Sequence, residues 1–251
     1  MILTKPDFAP IYYIEVQNGR PIDTVVAAGL EWLRSQPNAH RGVLACDLSS
    51  ALHDMPKSPW FRSLSKVHTR DSGTGAAGSN RPLLALFPTR DLLLKLTDLY
   101  ADRVSAMCVL TYGKNDPFPN AWLDYVGAID LVTDQKRAIS TTNILDPVVE
   151  AAFVSLKGQL TAQLCTPEHS YDPNGVATLL ELQRHGHELD ENTLAAWAIT
   201  QRFSRRDVAE FVEHIKKVKK GHRYSTKSYG SWQPNYQKWL HRIQVVPEET
   251  A

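Results

Sequence analysis

Residues 82–111 read PLLALFPTRDLLLKLTDLYADRVSAMCVLT. Pro82–Phe87 is an apolar run too short for a helix, and it stops at Pro88. Val104–Thr111 is a second such run. Between them, leucines recur at helical spacing from Leu92 to Tyr100, with Thr89 placed to cap the helix and Asp91 in its first turn to complement the dipole. Two continuously apolar strands joined by a helix make a βαβ unit, because a strand buried on both faces needs no polar alternation.

The same alternation extends outward. Upstream, Pro10–Gln17 is rich in β-branched and aromatic residues and ends at the turn dipeptide Asn18-Gly19; Pro21–Gln36 carries Ile22, Val25, Val26, Leu30 and Leu33 at helical spacing; Gly42–Asp47 is a short apolar run ending in an acid. Downstream, Pro119–Val126 reads as a short helix and Ala128–Val132 as a fifth strand. Leu48–Asn80, with its prolines and the run Ser72-Gly-Thr-Gly-Ala-Ala-Gly-Ser79, reads as a long irregular loop. The expectation is α/β: a doubly wound, mostly parallel sheet of about five strands, Rossmann-like, over residues 1–138.

From residue 139 the strand signal fades, and 139–251 is expected to be a helical bundle with a basic, aromatic C-terminal tail. Asp146-Pro147 begins one helix, Val176–Gly186 contains the next, Asp190 caps a third, and Ser204 caps a fourth that carries Val208, Phe211, Val212, Ile215 and Val218 on one face. Arg202-Phe-Ser204 joins the last two in a helical hairpin without the glycine of a helix-turn-helix.

Charge is unevenly distributed. The chain holds 28 Lys and Arg against 27 Asp and Glu, yet His214–Arg242 holds eight cations and no acid, so the remainder stands at 20 basic to 27 acidic. No basic-apolar leader and no run of roughly 18 apolar residues is present, so a cytoplasmic protein without a membrane partner is expected. Cys46 and Cys108 sit inside apolar runs and Cys165 is remote from both, the pattern of buried thiols and not of a disulfide frame or zinc cluster.

Four features bear on chemistry. Gly73-Thr-Gly-Ala-Ala-Gly78 has dinucleotide-binding spacing but runs into a strand, whereas pyrophosphate binding needs a helix N-terminus there, so no cofactor is expected. The polar residues after the strands, Asp47, Ser49, Ser50, Thr89, Lys114 and Asp116, are candidates for a cleft that takes a nucleotide-like or phosphorylated ligand, with Asp47 or Asp116 as base. His185-Gly-His187 is read as a helix-ending turn, and no metal is expected. In the tail, Lys216, Lys217, Lys219, Lys220, Arg223, Lys227, Lys238 and Arg242 interleave with Tyr224, Trp232, Tyr236 and Trp239, the pairing of positive charge and ring faces that a nucleic acid or another polyanion can use.

Leu189–Thr200, Ser204–Asp207 and Lys220–Tyr224 resemble the C-terminal helical region of a group of uncharacterised actinobacterial proteins, and Pro82–Thr111 is similar to their middle part. The resemblance covers about half the chain, leaves out Tyr224–Arg242, and implies a bacterial cytosolic origin but no activity. The leading expectation is therefore a non-enzymatic nucleic-acid-associated or adaptor protein that binds through its tail. The rivals are an enzyme or small-molecule binder at the strand ends, and a protein-interaction module anchored by Trp232 and Trp239.

Overall fold

The computed structural model describes residues 8–16, 21–47, 59–68, 80–100, 103–113, 116–140, 144–163, 173–222, 224 and 234–244. The chain divides into two compact units, an α/β unit of Thr4–Asn143 with Ala196–Arg205, and a helical unit of Ile144–Ala195 with Arg206–Ala251.

The α/β unit contains one sheet in which β1 (Ile11–Glu15), β2 (Val43–Cys46), β3 (Ser65–His68), β4 (Arg81–Leu86), β5 (Val104–Thr111) and β6 (Ile129–Asp130) are all parallel, in the order β3-β2-β4-β5-β1-β6. Five of these strands coincide with the expected ones. The sixth, β3, lies with the short helix α2 (Pro59–Ser63) inside Leu48–Asn80, which the sequence pattern marks as irregular. Ser-Lys-Val-His has one apolar residue because β3 is an edge strand, so no continuous apolar run betrays it.

Helix α1 (Ile22–Ser35) covers one face of the sheet. Its Val25, Trp32 and Leu33 pack with Phe61 of α2 against Ile14, Leu44, Cys46, Leu84, Cys108 and Leu110. The helix lies so close that a Cβ at Gly29 would come within 3.0 Å of Leu110 and 3.1 Å of Leu84, which is why a glycine stands mid-helix. The alternate residues Leu83, Ala85, Met107 and Val109 are equally buried on the other face. Helices α3 (Arg90–Tyr100) and α4 (Pro117–Val126) belong to that side, since right-handed crossovers running in opposite directions along a sheet place their helices on opposite faces. Trp122 of α4 donates its ring N–H to Thr97 of α3 at 2.9 Å.

An internal ion cluster fastens the β6 edge. The Arg137 guanidinium donates to Asp124, to Glu15 at 2.7 Å and to Asn120 at 2.6 Å, while its plane lies 5.1 Å from the centre of the Tyr13 ring. Burial opposes the charge on Arg137, yet hydrogen bonds and attraction from Asp124 and Glu15 hold its pKa above the ordinary value. Burial likewise pushes the Tyr13 phenol up. Asn120 donates to the Gly113 carbonyl at 2.7 Å, and Asp124 also accepts from the backbone of Ser140 at 3.0 Å, so one arginine ties β1, α4 and the segment after β6 together.

The helical unit is built from α5 (Pro147–Gln163), α6 (Pro173–Arg184), the first part of α7 (Glu191–Thr200), most of α8 (Arg205–Lys219) and α9 (Tyr236–Gln244). Two of the expected caps form: Asp146 accepts from the N–H of Val148 at 2.7 Å and Val149 at 3.3 Å, and Asp190 accepts from Thr193 at 2.7 Å. Phe153 of α5 meets Phe211 of α8 edge-on at 5.4 Å, and α5 packs against both α6 and α9. Where α7 ends, Arg202 takes the left-handed conformation (φ 65°) that a glycine would otherwise supply, and the N–H of Phe203 closes the turn on the Ala198 carbonyl at 3.1 Å.

Replacing Arg137 with methionine removes the guanidinium from Asp124, whose side chain is 1% exposed. The expected loss is about 3–5 kcal/mol, read by urea denaturation of the full chain, with partial recovery in Arg137→Met/Asp124→Asn.

Candidate functional site

At the carboxyl end of the sheet, connections leaving neighbouring strands take opposite directions in two places. Those from β1 and β2 run toward the β3 edge and those from β4 and β5 toward the β6 edge, so the loops run apart between β2 and β4, which leaves a crevice, and pass one another between β5 and β1.

At the crevice Asp47 follows β2, and Thr89 stands at the head of α3. The Thr89 backbone N–H donates to Asp47 Oδ2 at 2.8 Å and its hydroxyl to Oδ1 at 2.6 Å, a two-point clasp across the divergence. Thr89 thus sits where a cap belongs but spends its hydroxyl on Asp47. Asp116 occupies the N-cap position of α4 and makes no capping hydrogen bond with its side chain. Burial first, and the charge of Asp47 second, push its carboxyl pKa above the ordinary value. Three of the strand-end candidates, Asp47, Thr89 and Asp116, therefore converge. Ser49, Ser50 and Lys114 lie outside the described residues, as does Gly73–Gly78.

Sequence reasoning missed the aromatic pair beside them. Phe87 directly follows β4 and Tyr112 directly follows β5; their rings stack at 4.6 Å and 23°, and Tyr112 remains 46% exposed. Phe87 is held at φ 44°, a left-handed conformation rarely adopted by a bulky residue. The available signal was positional, since both aromatics stand one residue beyond neighbouring strands.

At the β5/β1 reversal the strand ends are tied together. Glu15, at the end of β1, reaches Arg137, and a Cβ at Gly113 beyond β5 would lie 3.3 Å from Glu15 Oε2.

In the helical unit, Lys216, Lys217 and Lys219 occupy the last turn of α8 and Lys220 follows. Lys217, Lys219 and Lys220 are exposed, while Lys216 pairs with Glu213 at 3.3 Å. Lys238 and Arg242 are exposed on α9, where Arg242 donates to Ser155 at 2.8 Å. The described aromatics of the tail turn inward. Trp239 is 1% exposed, Tyr224 joins its hydroxyl to His214 Nδ1 at 2.9 Å, and Tyr236 joins its own to His187 Nε2 at 2.8 Å. Burial, reinforced by Lys217, holds the His214 pKa below the ordinary value. Arg223, Lys227 and Trp232 lie outside the described residues. Among the described residues, no group of three or more His, Cys, Asp or Glu is arranged to hold a metal ion, and no helix is long and apolar enough to cross a membrane.

Comparison with known proteins reaches the helical part of the chain. Residues 145–240 match the family model of a domain of unknown function, DUF1889. The match covers most of the tail and does not include the strand-helix-strand of Pro82–Thr111. No curated protein and no solved structure matches the chain.

The raised carboxyl of Asp116 has a measurable consequence. An acid with a folded-state pKa above its unfolded one costs stability where it is ionised; the cost builds up as pH rises through the window above 3.8, the ordinary value, and is absent below it. Asp116→Asn is therefore expected to melt higher than the parent at pH 7, with the difference closing as pH falls below 4, a comparison that differential scanning calorimetry makes directly.

Proposed function

We infer that the α/β unit binds a small nucleotide-like ligand over the carboxyl ends of β2, β4 and β5, engaging its nucleoside part. The observation that carries this reading is the convergence of Asp47, Thr89 and Asp116 at the divergence between β2 and β4, where open α/β sheets receive ligands. Two carboxylates held near one another, one of them above its ordinary pKa, accept hydrogen bonds from ligand hydroxyl or amino groups and repel a bare phosphate. The exposed face of Tyr112, backed by Phe87, offers a base a surface to stack on. Asp116, whose carboxyl is held above its ordinary pKa, takes a proton from a bound hydroxyl.

A thermal-shift series over nucleosides, nucleotides and inorganic phosphate tests this. At a ligand concentration 100-fold above Kd, stabilisation of about 2.7 kcal/mol is expected, a rise of roughly 5–10 °C for a unit of this size. Asp47→Ala, Asp116→Ala and Tyr112→Ala should each reduce it. A series with no shift, or a shift that all three variants retain, rejects the reading.

The exposure of Lys217, Lys219 and Lys220 on the final turn of α8 supports a second reading, a polyanion such as a nucleic acid held by phosphate contacts. With Trp239 buried, such a contact relies on charge more than on stacking. Filter binding over a salt series is expected to lose a slope of about 0.9 for each phosphate contact removed when these three lysines become glutamate. Binding that is absent in the parent, or unchanged in the variant, ends it.

A further inference from the structure

The helical unit brings together three side chains that the sequence holds far apart. Asp146 precedes α5, His187 follows the turn that ends α6, and Tyr236 opens α9. Gly186 (φ 81°) closes α6, and the His187 N–H bonds back to the Leu182 carbonyl at 3.1 Å, which fixes the base of the imidazole. Its Nδ1 lies 3.0 Å from Asp146 Oδ2, and its Nε2 lies 2.8 Å from the Tyr236 hydroxyl.

The protonation pattern follows from the partners. Burial alone would raise the Asp146 carboxyl, but hydrogen bonds from His187 and from the N–H groups of Val148 and Val149 hold it below the ordinary range, so it is an ionised acceptor. An acceptor at Nδ1 requires the proton there. In the neutral ring Nε2 is then a lone pair, and the Tyr236 hydroxyl donates to it. A hydroxyl on a base, with the base oriented by a carboxylate, is the arrangement that activates an oxygen nucleophile. The rest of the site holds the phenol in place: the His185 ring stacks on Tyr236 at 3.6 Å and 4°, and Trp239 supports it edge-on at 6.2 Å.

The geometry points to Asp146, His187 and Tyr236 as a nucleophile triad that transfers an acyl group from an uncharged ester through the Tyr236 oxygen. The two imidazoles beside the phenol each face a carboxylate, His187 facing Asp146 and His185 facing Glu181 at 3.2 Å, so the surroundings disfavour a phosphoester and suit a neutral ester. Tyr236 Oη attacks the ester carbonyl as its proton passes to His187 Nε2. The carbon–oxygen bond to the leaving alcohol breaks, and that alkoxide takes the proton from Nε2. Water then attacks the aryl ester with His187 as base, releasing the carboxylic acid and restoring the phenol. This site lies in the helical unit and is independent of the strand-end site.

The test uses the full chain and p-nitrophenyl acetate. A burst of p-nitrophenol of one equivalent per protein is expected, with the acetyl group found by peptide mass spectrometry on Tyr236 at least tenfold faster than on the exposed Tyr112 of the same molecule. Tyr236→Phe should abolish the burst, and His187→Gln should slow it at least a hundredfold and remove the general-base inflection from its pH profile. Tyr224→Phe, which alters the other histidine-bonded tyrosine, should leave it unchanged. The comparison of Tyr236 with Tyr112 is made within the native protein, so it stands even if a variant misfolds. Equal acetylation of the two tyrosines, or a burst that survives Tyr236→Phe, overturns the proposal.

Discussion

Every strand of the sheet runs in one direction, and that constraint governs the rest of the α/β unit. Parallel neighbours cannot be joined by tight turns, so each connection must cross a face, and with one handedness available its face is set by its direction of travel. The order β3-β2-β4-β5-β1-β6 reverses that direction between β2 and β4 and between β5 and β1. Between β2 and β4 the reversal separates the loops above the strand ends and leaves polar residues facing one another across a gap. The Asp47–Thr89 clasp is thus a product of topology as much as of the two residues.

The two reversals differ further because of one arginine. Arg137 lies beside the β5/β1 reversal and bonds Glu15, Asp124 and Asn120 together, making a structural joint there. Each of its three nitrogens donates to one of these partners, and two of the partners are carboxylates. At β2/β4 the pattern is the opposite. Asp116 stands at a helix N-terminus without capping it, and its carboxyl bears the cost of burial first and of a second acid nearby.

Where burial dictates composition, the sequence was readable. Strands such as Leu83–Leu86 and Met107–Leu110 are covered on both faces, so nothing but apolar residues fits them, and α1 and α8 show the helical spacing of a single buried stripe. β3 was hidden because an edge strand is free of that demand. α9 was hidden for another reason: its cations and aromatics suggest an exposed binding tail, yet Tyr236, Trp239, Leu240 and Ile243 recur at the spacing of one helix face, and Trp239 is buried on it. Of the site, Asp47, Thr89 and Asp116 were legible from strand-end position alone. The Glu15–Arg137 pair spans 122 residues, and the triad joins Asp146 to a tyrosine near the C-terminus. No local pattern encodes pairings of that kind, because they depend on which elements become neighbours in space.

Two histidine–tyrosine contacts in the helical unit show how surroundings set the chemistry of one kind of bond. His214 meets Tyr224 at 2.9 Å much as His187 meets Tyr236 at 2.8 Å. His214 lies on the buried face of α8, where burial and then Lys217 disfavour its charged form, outweighing Glu210 and Glu213. A proton arriving there is unwelcome, so the bond serves to join the chain beyond α8 to the helix. His187 has Asp146 on its other nitrogen, and an imidazole backed by a carboxylate can receive a proton and keep it for the length of a reaction. What separates a fastening from a base is therefore the group on the far side of the ring, and in this chain that group is the same aspartate that starts α5.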